Sequence, residues 1–252
     1  MVALLHAPAE LAPVRSVLDA MRARHGIEVV RGLVPGLVVH DPVGWLPATR
    51  LADGSALPEV LSAARRRWGG SRHASAALAW KSYTYWVALP AVVGYALTRR
   101  VPDMSPEQVL VRPHGEAPFL EIGLRSPALA VLPDDPLAGA PGVRVVTDLA
   151  GFLRGTLLDA HLSPVLDRLR EHVRLGRRTL LGSLASGAAH GVLRARSAVP
   201  GRPAATAQEV LSVLGVDDLV EITPELAVQR RTCCLAFTLP QPKICQGCCL
   251  RS

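Results

Sequence analysis

Residues 233–249 read CCLAFTLPQPKICQGCC and contain all five cysteines of the 252-residue chain. A cysteine that serves only for packing is usually a scattered, buried, small hydrophobic residue. Clustered thiolates are instead the ligands that a soft metal centre requires. The spacing is C-C-x10-C-x2-C with one further cysteine directly after it, and it predicts a metal-binding segment over residues 230–252.

The rest of the chain is apolar and basic, with 49% hydrophobic residues and a net charge of +7. A basic balance suits an anionic partner such as a nucleic acid, a membrane surface, an acidic protein or an acidic small molecule. The arginines are dispersed in short runs such as Arg99-Arg100 and Arg177-Arg178. Dispersed charge is typical of a solvated surface, so we expect no nucleic-acid partner.

Two features of the sequence bear on the cellular compartment: its first residues and its longest apolar run. The first residues lack the basic region and the long apolar run of a signal peptide. The longest uncharged stretch, 82–98, contains Pro90 and is shorter than the ~20 apolar residues that span a bilayer. We therefore expect a buried helix pair there, no stable membrane insertion and a cytoplasmic protein. Disulfides are rare in that compartment, which favours cysteines that bind metal or carry redox chemistry.

The periodicity of apolar residues predicts a helix-rich α+β fold with a small β-sheet or hairpin region and a C-terminal cysteine-rich segment. Valines and other apolar residues on both sides of the turn-like residues 113–116 predict the hairpin. We expect a single domain over 1–252, and the Pro/Gly/Asp-rich stretch 133–142 is the best candidate for an internal boundary. The predicted helices cover 8–25, 58–68, 74–99 with a kink or break near Pro90, 148–161, 163–173, 179–194 and 206–215, and strands are predicted within 27–39, 109–131, 219–222 and 226–237.

Four thiolates in one short segment can bind zinc or an iron–sulfur cluster. Structural zinc sites usually present two C-x2-C pairs, whereas one half of this motif is the adjacent pair Cys233-Cys234. Neighbouring side chains of a strand point to opposite faces, so converging both on one ion requires a distorted backbone. A two-iron cluster offers two metals, which favours [2Fe–2S] over zinc. The segment has no histidine for a Rieske centre, and too few residues follow Cys248 to form the helix of a thioredoxin-like motif.

The motif Cys233-Cys234-x10-Cys245-x2-Cys248, preceded by Arg230-Arg231-Thr232, resembles the C-terminus of the FhuF-like family of ferric-siderophore reductases. The specific match covers about the last twenty residues, with weaker similarity from His161 onward that includes the small-residue stretch 180–186. The resemblance implies a [2Fe–2S] cluster whose ligands are Cys233, Cys234, Cys245 and Cys248.

Cys249 departs from the family pattern. It could replace Cys248 or Cys233 as a ligand, or it could be a bystander, which is the interpretation that we adopt because the spacing is complete without it.

The resemblance also implies an activity, the one-electron reduction of siderophore-bound Fe(III) to Fe(II). The sequence contains neither G-x-G-x-x-G nor a P-loop, so the electrons would come from an external donor such as a ferredoxin, a flavodoxin or a reductase. Two alternatives stay open at this point. The chain could be a zinc-stapled, basic nucleic-acid-binding protein, or an iron–sulfur redox sensor.

The substrate site and the groups that tune the cluster have weaker signals. An aromatic and cationic cluster suits a flat, often anionic chelate, although such a cluster can equally be core with a lysine whose head reaches solvent. Arg112 and His114 at the predicted hairpin could face a ligand or simply solvent. The aromatic cluster consists of Trp80, Lys81, Tyr83, Tyr85 and Trp86. The residues close enough in sequence to tune the cluster are Arg230, Arg231, Thr232, Lys243 and Gln246.

Overall fold

The computed structural model describes residues 9–114, 117–198 and 201–250. Within these ranges the chain forms eight α-helices and three small sheets, which confirms the predicted helix-rich α+β class. The helices are α1 Ala12–His25, α2 Thr49–Ala52, α3 Leu57–Trp68, α4 Arg72–Val93, α5 Leu149–Leu153, α6 Ser163–His172, α7 Arg177–Arg194 and α8 Pro203–Val213. The strands are β1 Leu33–Val38, β2 Leu46–Pro47, β3 Val101–Pro102, β4 Val109–Pro113, β5 Leu120–Leu124, β6 Leu129–Val131, β7 Val143–Val145, β8 Val220–Ile222 and β9 Val228–Arg230.

The predicted hairpin is present as β4 and β5, which pair antiparallel with Val109 opposite Leu124 and Pro113 opposite Leu120. Its turn residues 115–116 and the final residues 251–252 of the predicted metal-binding segment lie outside the described residues. β1 adds to this sheet in parallel with β5, and β2 adds antiparallel to β4. The prediction of several short strands in 27–39 is wrong, because a 3₁₀ turn at Ile27–Val29 precedes the single strand β1.

The second and third sheets are smaller. β6 pairs antiparallel with β3 and parallel with β7, so the stretch 133–142 connects two strands of one sheet. β8 and β9 form an antiparallel pair, with Val220 opposite Arg230. This last pair matters for function because the cysteine-rich segment follows β9 directly.

A single helix, α4, crosses Pro90 where the sequence predicts a pair of helices. Proline removes one helical hydrogen bond and costs about 3 kcal/mol in a helix interior. Burying one valine or leucine side chain contributes about 1.5–3 kcal/mol, and Val87, Leu89 and Val92 around the proline are all inaccessible to solvent. Packing therefore outweighs the local cost. The helix widens into a π-helical turn only at Gly94–Thr98. No helix among the described residues combines the length and apolar character needed to cross a membrane.

Helices α4 and α7 pack against each other at the centre of the molecule, and α7 also contacts α8 and β9. The indole N–H of Trp80 donates to the backbone oxygen of Leu180 at 2.8 Å, which joins the two helices directly. Gly182 on α7 permits the close approach of the segment after β9, since a Cβ at this position would lie 1.9 Å from the hydroxyl oxygen of Thr232. The α4–α7 pair thus forms the platform on which the cysteine-rich segment rests.

Candidate metal centre and adjoining cleft

The chain reverses direction within the cysteine-rich segment. Cys233 and Cys234 lie beyond the end of β9, outside any strand, and Leu235 next to them has a left-handed backbone with φ 61°. A 3₁₀ turn follows at Ala236–Thr238, and the backbone N–H of Lys243 donates to the oxygen of Ala236 at 3.1 Å. The irregular backbone that the adjacent cysteines require is therefore present. It brings the second half of the motif, residues 245–248, close to Cys233 and Cys234.

Backbone contacts fix the C-x2-C turn, residues 245–248, against β9. The N–H of Arg230 donates to the oxygen of Gly247 at 2.9 Å, and the side-chain amide of Gln229 donates to the oxygen of Cys248 at 3.4 Å. A Cβ on Gly247 would lie 1.7 Å from the backbone oxygen of Val228, a distance that no side chain tolerates. Glycine at position 247 is thus what allows the turn to lie directly on the strand.

Four of the five cysteines make two contacts between their side chains. The sulfurs of Cys234 and Cys245 are 3.9 Å apart, and the thiol of Cys249 is hydrogen-bonded to that of Cys233. Burial raises the pKa of the Cys245 and Cys249 thiols, and the neighbouring cysteines, including the buried Cys248, raise it further. All five cysteines belong to the described residues and are thiols, not disulfides. The structure therefore brings Cys249, the predicted bystander, into the thiol cluster formed by Cys233, Cys234, Cys245, Cys248 and Cys249.

In the part of the chain that the structure describes, no three His, Cys, Asp or Glu side chains are grouped closely enough to hold a metal ion. A tetrahedral zinc site needs four ligands around one point, whereas each iron of a [2Fe–2S] cluster takes two thiolates. The donors are soft sulfurs, which is the type that an iron–sulfur cluster takes, and the five cysteines of the tail include the four that a [2Fe–2S] cluster needs. The specific ligands Cys233, Cys234, Cys245 and Cys248 stay a prediction.

A buried arginine beside the thiol cluster provides an independent test of this fit. Arg230 is 3% exposed, and its Nη2 donates to the hydroxyl oxygens of Ser183 at 3.2 Å and Thr232 at 3.5 Å. Its Nε and Nη1 have no hydrogen-bond partner, and no carboxylate pairs with it among the described residues. A buried charge without a counterion costs several kcal/mol. An anionic cluster next to Arg230 would supply the missing counterion.

Positive charge reaches the sulfurs themselves. Burial opposes ionisation of the Cys234 thiol, but Lys81, the Ala236 N–H and Arg230 outweigh it, so the pKa of Cys234 lies below its ordinary value. A lowered pKa favours the thiolate, which is the form that binds metal. Helix α4, which is distant in sequence, and the neighbouring β9 and 3₁₀ turn thus contribute to one electropositive environment.

A cleft of about 450 Å³ lies between α4 and α7 and reaches the thiol cluster. The Cys245-Gln246 edge of the tail forms part of its wall. Helix α4 contributes Lys81, Tyr85 and Trp86, which belong to the aromatic cluster that the sequence singles out. Helix α7 contributes Ser183, Ser186, His190 and Arg194. Part of the predicted substrate cluster therefore faces a cavity that Cys245 also lines.

The cleft is cationic. None of its lining residues in the described chain is an Asp or a Glu, and Lys81 has no ion-pair partner there. The Nη1 of Arg194 donates to the Tyr85 hydroxyl at 2.8 Å, which holds this guanidinium beside the ring. Burial first, and then Arg194, Lys81 and Arg230, lower the pKa of His190 to about 4, so its imidazole is neutral at neutral pH. Such a cleft favours an anionic ligand.

The other two aromatic residues of the predicted cluster belong to the core. Trp80 bonds to α7, and the Tyr83 hydroxyl donates to His161 Nε2 at 2.5 Å. His161 is fully buried, and its Nδ1–H donates to the oxygen of Met104 at 2.6 Å. Burial lowers the pKa of His161 to about 4. The sequence gives no signal for this pair, because Tyr83 and His161 are 78 positions apart and neither belongs to a motif.

The remaining candidate residues divide by location. Gln246 lines the cleft, Thr232 is buried beside Arg230, and Lys243 is exposed. Arg231 is exposed and its guanidinium lies 3.7 Å from the Glu221 carboxylate. Arg112 and His114 both contact Glu121 on the β4–β5 hairpin and do not line the cleft.

Comparison with models of known protein families finds no match to this chain. No curated protein matches it either. The resemblance to the FhuF-like reductases therefore stays a prediction from the cysteine spacing, and the geometry of the thiol cluster and the cleft carries the functional argument.

Proposed function

We propose that this protein is a ferric-siderophore reductase that uses a [2Fe–2S] cluster to reduce siderophore-bound Fe(III) to Fe(II). Cys233, Cys234, Cys245 and Cys248 would hold the cluster. The observation that carries the proposal is the position of Cys245, which pairs with Cys234 and also lines the cationic cleft. A chelate bound in the cleft would therefore lie against a cluster ligand. When bound, the cluster supplies single electrons, the number that the reduction of Fe(III) requires.

The side chains of the chain itself bind and orient the substrate. Lys81 and Arg194 attract an anionic chelate, and Tyr85 and Trp86 offer ring surface to its apolar parts. Siderophores bind iron through hard oxygen donors, which hold Fe(III) far better than the softer Fe(II). One electron gained by the ferric ion therefore weakens the complex, and Fe(II) leaves while the siderophore keeps its covalent structure.

The electron comes from an external donor protein, and we place the reaction in the cytoplasm, where thiols stay reduced. A ferredoxin, a flavodoxin or a reductase would serve as donor, and an acidic one would suit the net charge of +7. The arginine pairs do not support the alternative function, nucleic-acid binding. Arg100, Arg177 and Arg178 each form an ion pair with an aspartate of the same chain.

Anaerobic purification followed by metal and sulfide analysis tests the cofactor. We expect a coloured protein with about two irons and two sulfides per chain. A colourless protein with one zinc per chain would overturn the proposal. The double variant Cys234→Ser/Cys245→Ser is the control, since it removes one sulfur pair and should lose the colour.

A single-turnover experiment tests the activity. Protein reduced with dithionite and freed of excess reductant is mixed with a ferric siderophore, and Fe(II) is trapped with a colorimetric chelator. We expect about one Fe(II) per reduced cluster, formed at the rate at which the visible absorption of the oxidised protein returns. A reduced cluster that does not react with any ferric siderophore would indicate the redox-sensor alternative.

A further inference from the structure

The cleft beside the thiol cluster combines features that together select a ligand class. It has two cationic side chains, Lys81 and Arg194, and no lining carboxylate among the described residues. It also has part-exposed aromatic surface from Tyr85. We propose, resting on the function above, that the cleft selects anionic aryl chelates, in which Fe(III) is bound by catecholate or phenolate oxygens, over neutral hydroxamate chelates.

Charge distinguishes the two classes of chelate. Each catecholate is a dianion, so three of them leave a ferric complex strongly negative. Each hydroxamate is a monoanion, and three of them only cancel the charge of the metal. A site with unpaired positive charge gains nothing from the neutral complex and pays for the desolvation of its own cations. Lys81 has no ion-pair partner among the described residues, so its charge acts on a ligand of the cleft as well as on the Cys234 thiol.

The hydrogen-bonding groups of the cleft are also arranged for an anion. The Ser183 hydroxyl oxygen accepts from Arg230, which leaves its own proton to donate into the cleft. The Arg194 guanidinium is held by the Tyr85 hydroxyl, so it is oriented before a ligand binds. Donors that are fixed in advance lose less entropy when they bind an oxyanion.

The aromatic groups favour the aryl part of the ligand. Tyr85 and Trp86 meet edge to face, with ring centroids 4.6 Å apart and an interplanar angle of 74°. Both residues line one corner of the cleft, where Tyr85 is half-buried and Trp86 is 8% exposed, and the Arg194 guanidinium lies 5.8 Å from the Tyr85 ring centre. A flat catechol ring can pack against such a corner while its oxygens reach the cations.

Gallium(III) complexes provide a test that is independent of electron transfer, because gallium matches ferric iron in charge and size but is not reduced by the protein. Titration calorimetry on the purified full chain, with its metal bound, would compare a gallium tris-catecholate with a neutral gallium trihydroxamate. We expect the tris-catecholate to bind at least about tenfold more tightly, which corresponds to about 1.4 kcal/mol. Equal affinity, or tighter binding of the trihydroxamate, would overturn the inference.

Single substitutions test whether the cleft is the source of the selectivity. Lys81→Met should weaken binding of the tris-catecholate about tenfold and leave the trihydroxamate unchanged. Arg174→Met is the matched control, since Arg174 is exposed and lies outside the cleft lining. An equal loss in Arg174→Met would show that only net charge matters and would refute the role of the cleft. Gallium citrate, which is anionic but not aromatic, should bind more weakly than the tris-catecholate, and equal binding would refute selection for the aryl group.

The two proposals fail in different ways. A protein that contains the cluster and reduces ferric hydroxamates but prefers no gallium catecholate keeps the reductase function and loses the aryl selectivity. A protein without iron that still prefers the gallium tris-catecholate loses the reductase function, whereas the ligand preference of the cleft survives.

Discussion

The sulfurs of Cys234 and Cys245 lie 3.9 Å apart although eleven positions separate the two residues along the chain. The fold-back at Leu235 and the contact of Gly247 with β9 bring them together. Because Cys245 also lines the cleft, this pair joins the proposed electron-transfer centre to the proposed substrate site.

Single serine substitutions should separate ligands from the neighbouring thiol. We expect Cys248→Ser to lose most of its iron and sulfide and Cys249→Ser to keep both, since the C-x2-C spacing is complete without Cys249. The measurement is iron and sulfide per chain, together with the visible spectrum. The reverse result would make Cys249 a ligand, and its hydrogen bond to Cys233 would then mark the second pair of ligands.

Gly247→Ala should displace the C-x2-C turn from β9. The added methyl group would lie 1.7 Å from the backbone oxygen of Val228, so the turn must move and the thiol cluster should open. We expect the iron content to fall below about half of the wild-type value, since affinity depends on a correctly formed site. The control is Gly155→Ala, because a Cβ at Gly155 meets no atom within 4 Å. Similar iron contents in both variants would contradict the role of Gly247.

Arg230→Met should lower the midpoint potential of the cluster. A buried positive charge near the sulfurs stabilises the more negative, reduced state, so its removal makes reduction harder. We expect a shift on the order of 50 mV to more negative values, about 1.2 kcal/mol for one electron. Redox titration followed by electron paramagnetic resonance measures it. Arg231→Met is the control, since Arg231 is exposed and faces Glu221. The midpoint potential of this variant should stay near that of the wild type.

The buried His161 should make the fold sensitive to acid. Its pKa is about 4 in the folded protein and 6.5 ordinarily, so the unfolded chain binds the proton first as the pH falls. The contribution of His161 to the free energy of unfolding is therefore complete above about pH 6.5. It falls progressively towards pH 4, by about 3 kcal/mol. Denaturant unfolding across this range measures the loss. His161→Gln should be less stable at pH 7.5 and show a shallower decline, and an unchanged slope would contradict the assignment.

The sequence was most informative where local chemistry decides the structure. Helix α3 ends at Trp68, as predicted, because Gly69 adopts a left-handed conformation with φ 59°. Asp148 begins α5 by accepting the Gly151 N–H at 2.8 Å, and the β4–β5 hairpin has the expected position. The cysteine spacing likewise located the thiol cluster.

Features that depend on tertiary packing were not predictable. Pro90 did not break α4, because burial outweighs the lost hydrogen bond. The cleft combines Lys81 with Arg194 and Cys245, both of which lie more than a hundred positions further along the chain, and no local pattern indicates that they meet. Two of the four aromatic residues of the predicted cluster, Tyr85 and Trp86, therefore line the cleft, and the sequence could not separate Tyr85 from the core residue Tyr83.

The unpaired charge of Arg230 has a consequence for the life of the protein in the cell. A chain without the proposed cluster would keep a buried guanidinium with two unsatisfied nitrogen atoms beneath the tail. The tail should then detach readily and expose Phe237, Ile244 and Leu250, which are already 41–54% accessible. Quality-control proteases recognise loose apolar segments of this kind, so molecules that never acquire iron would be removed first, and the surviving population would be enriched in filled protein.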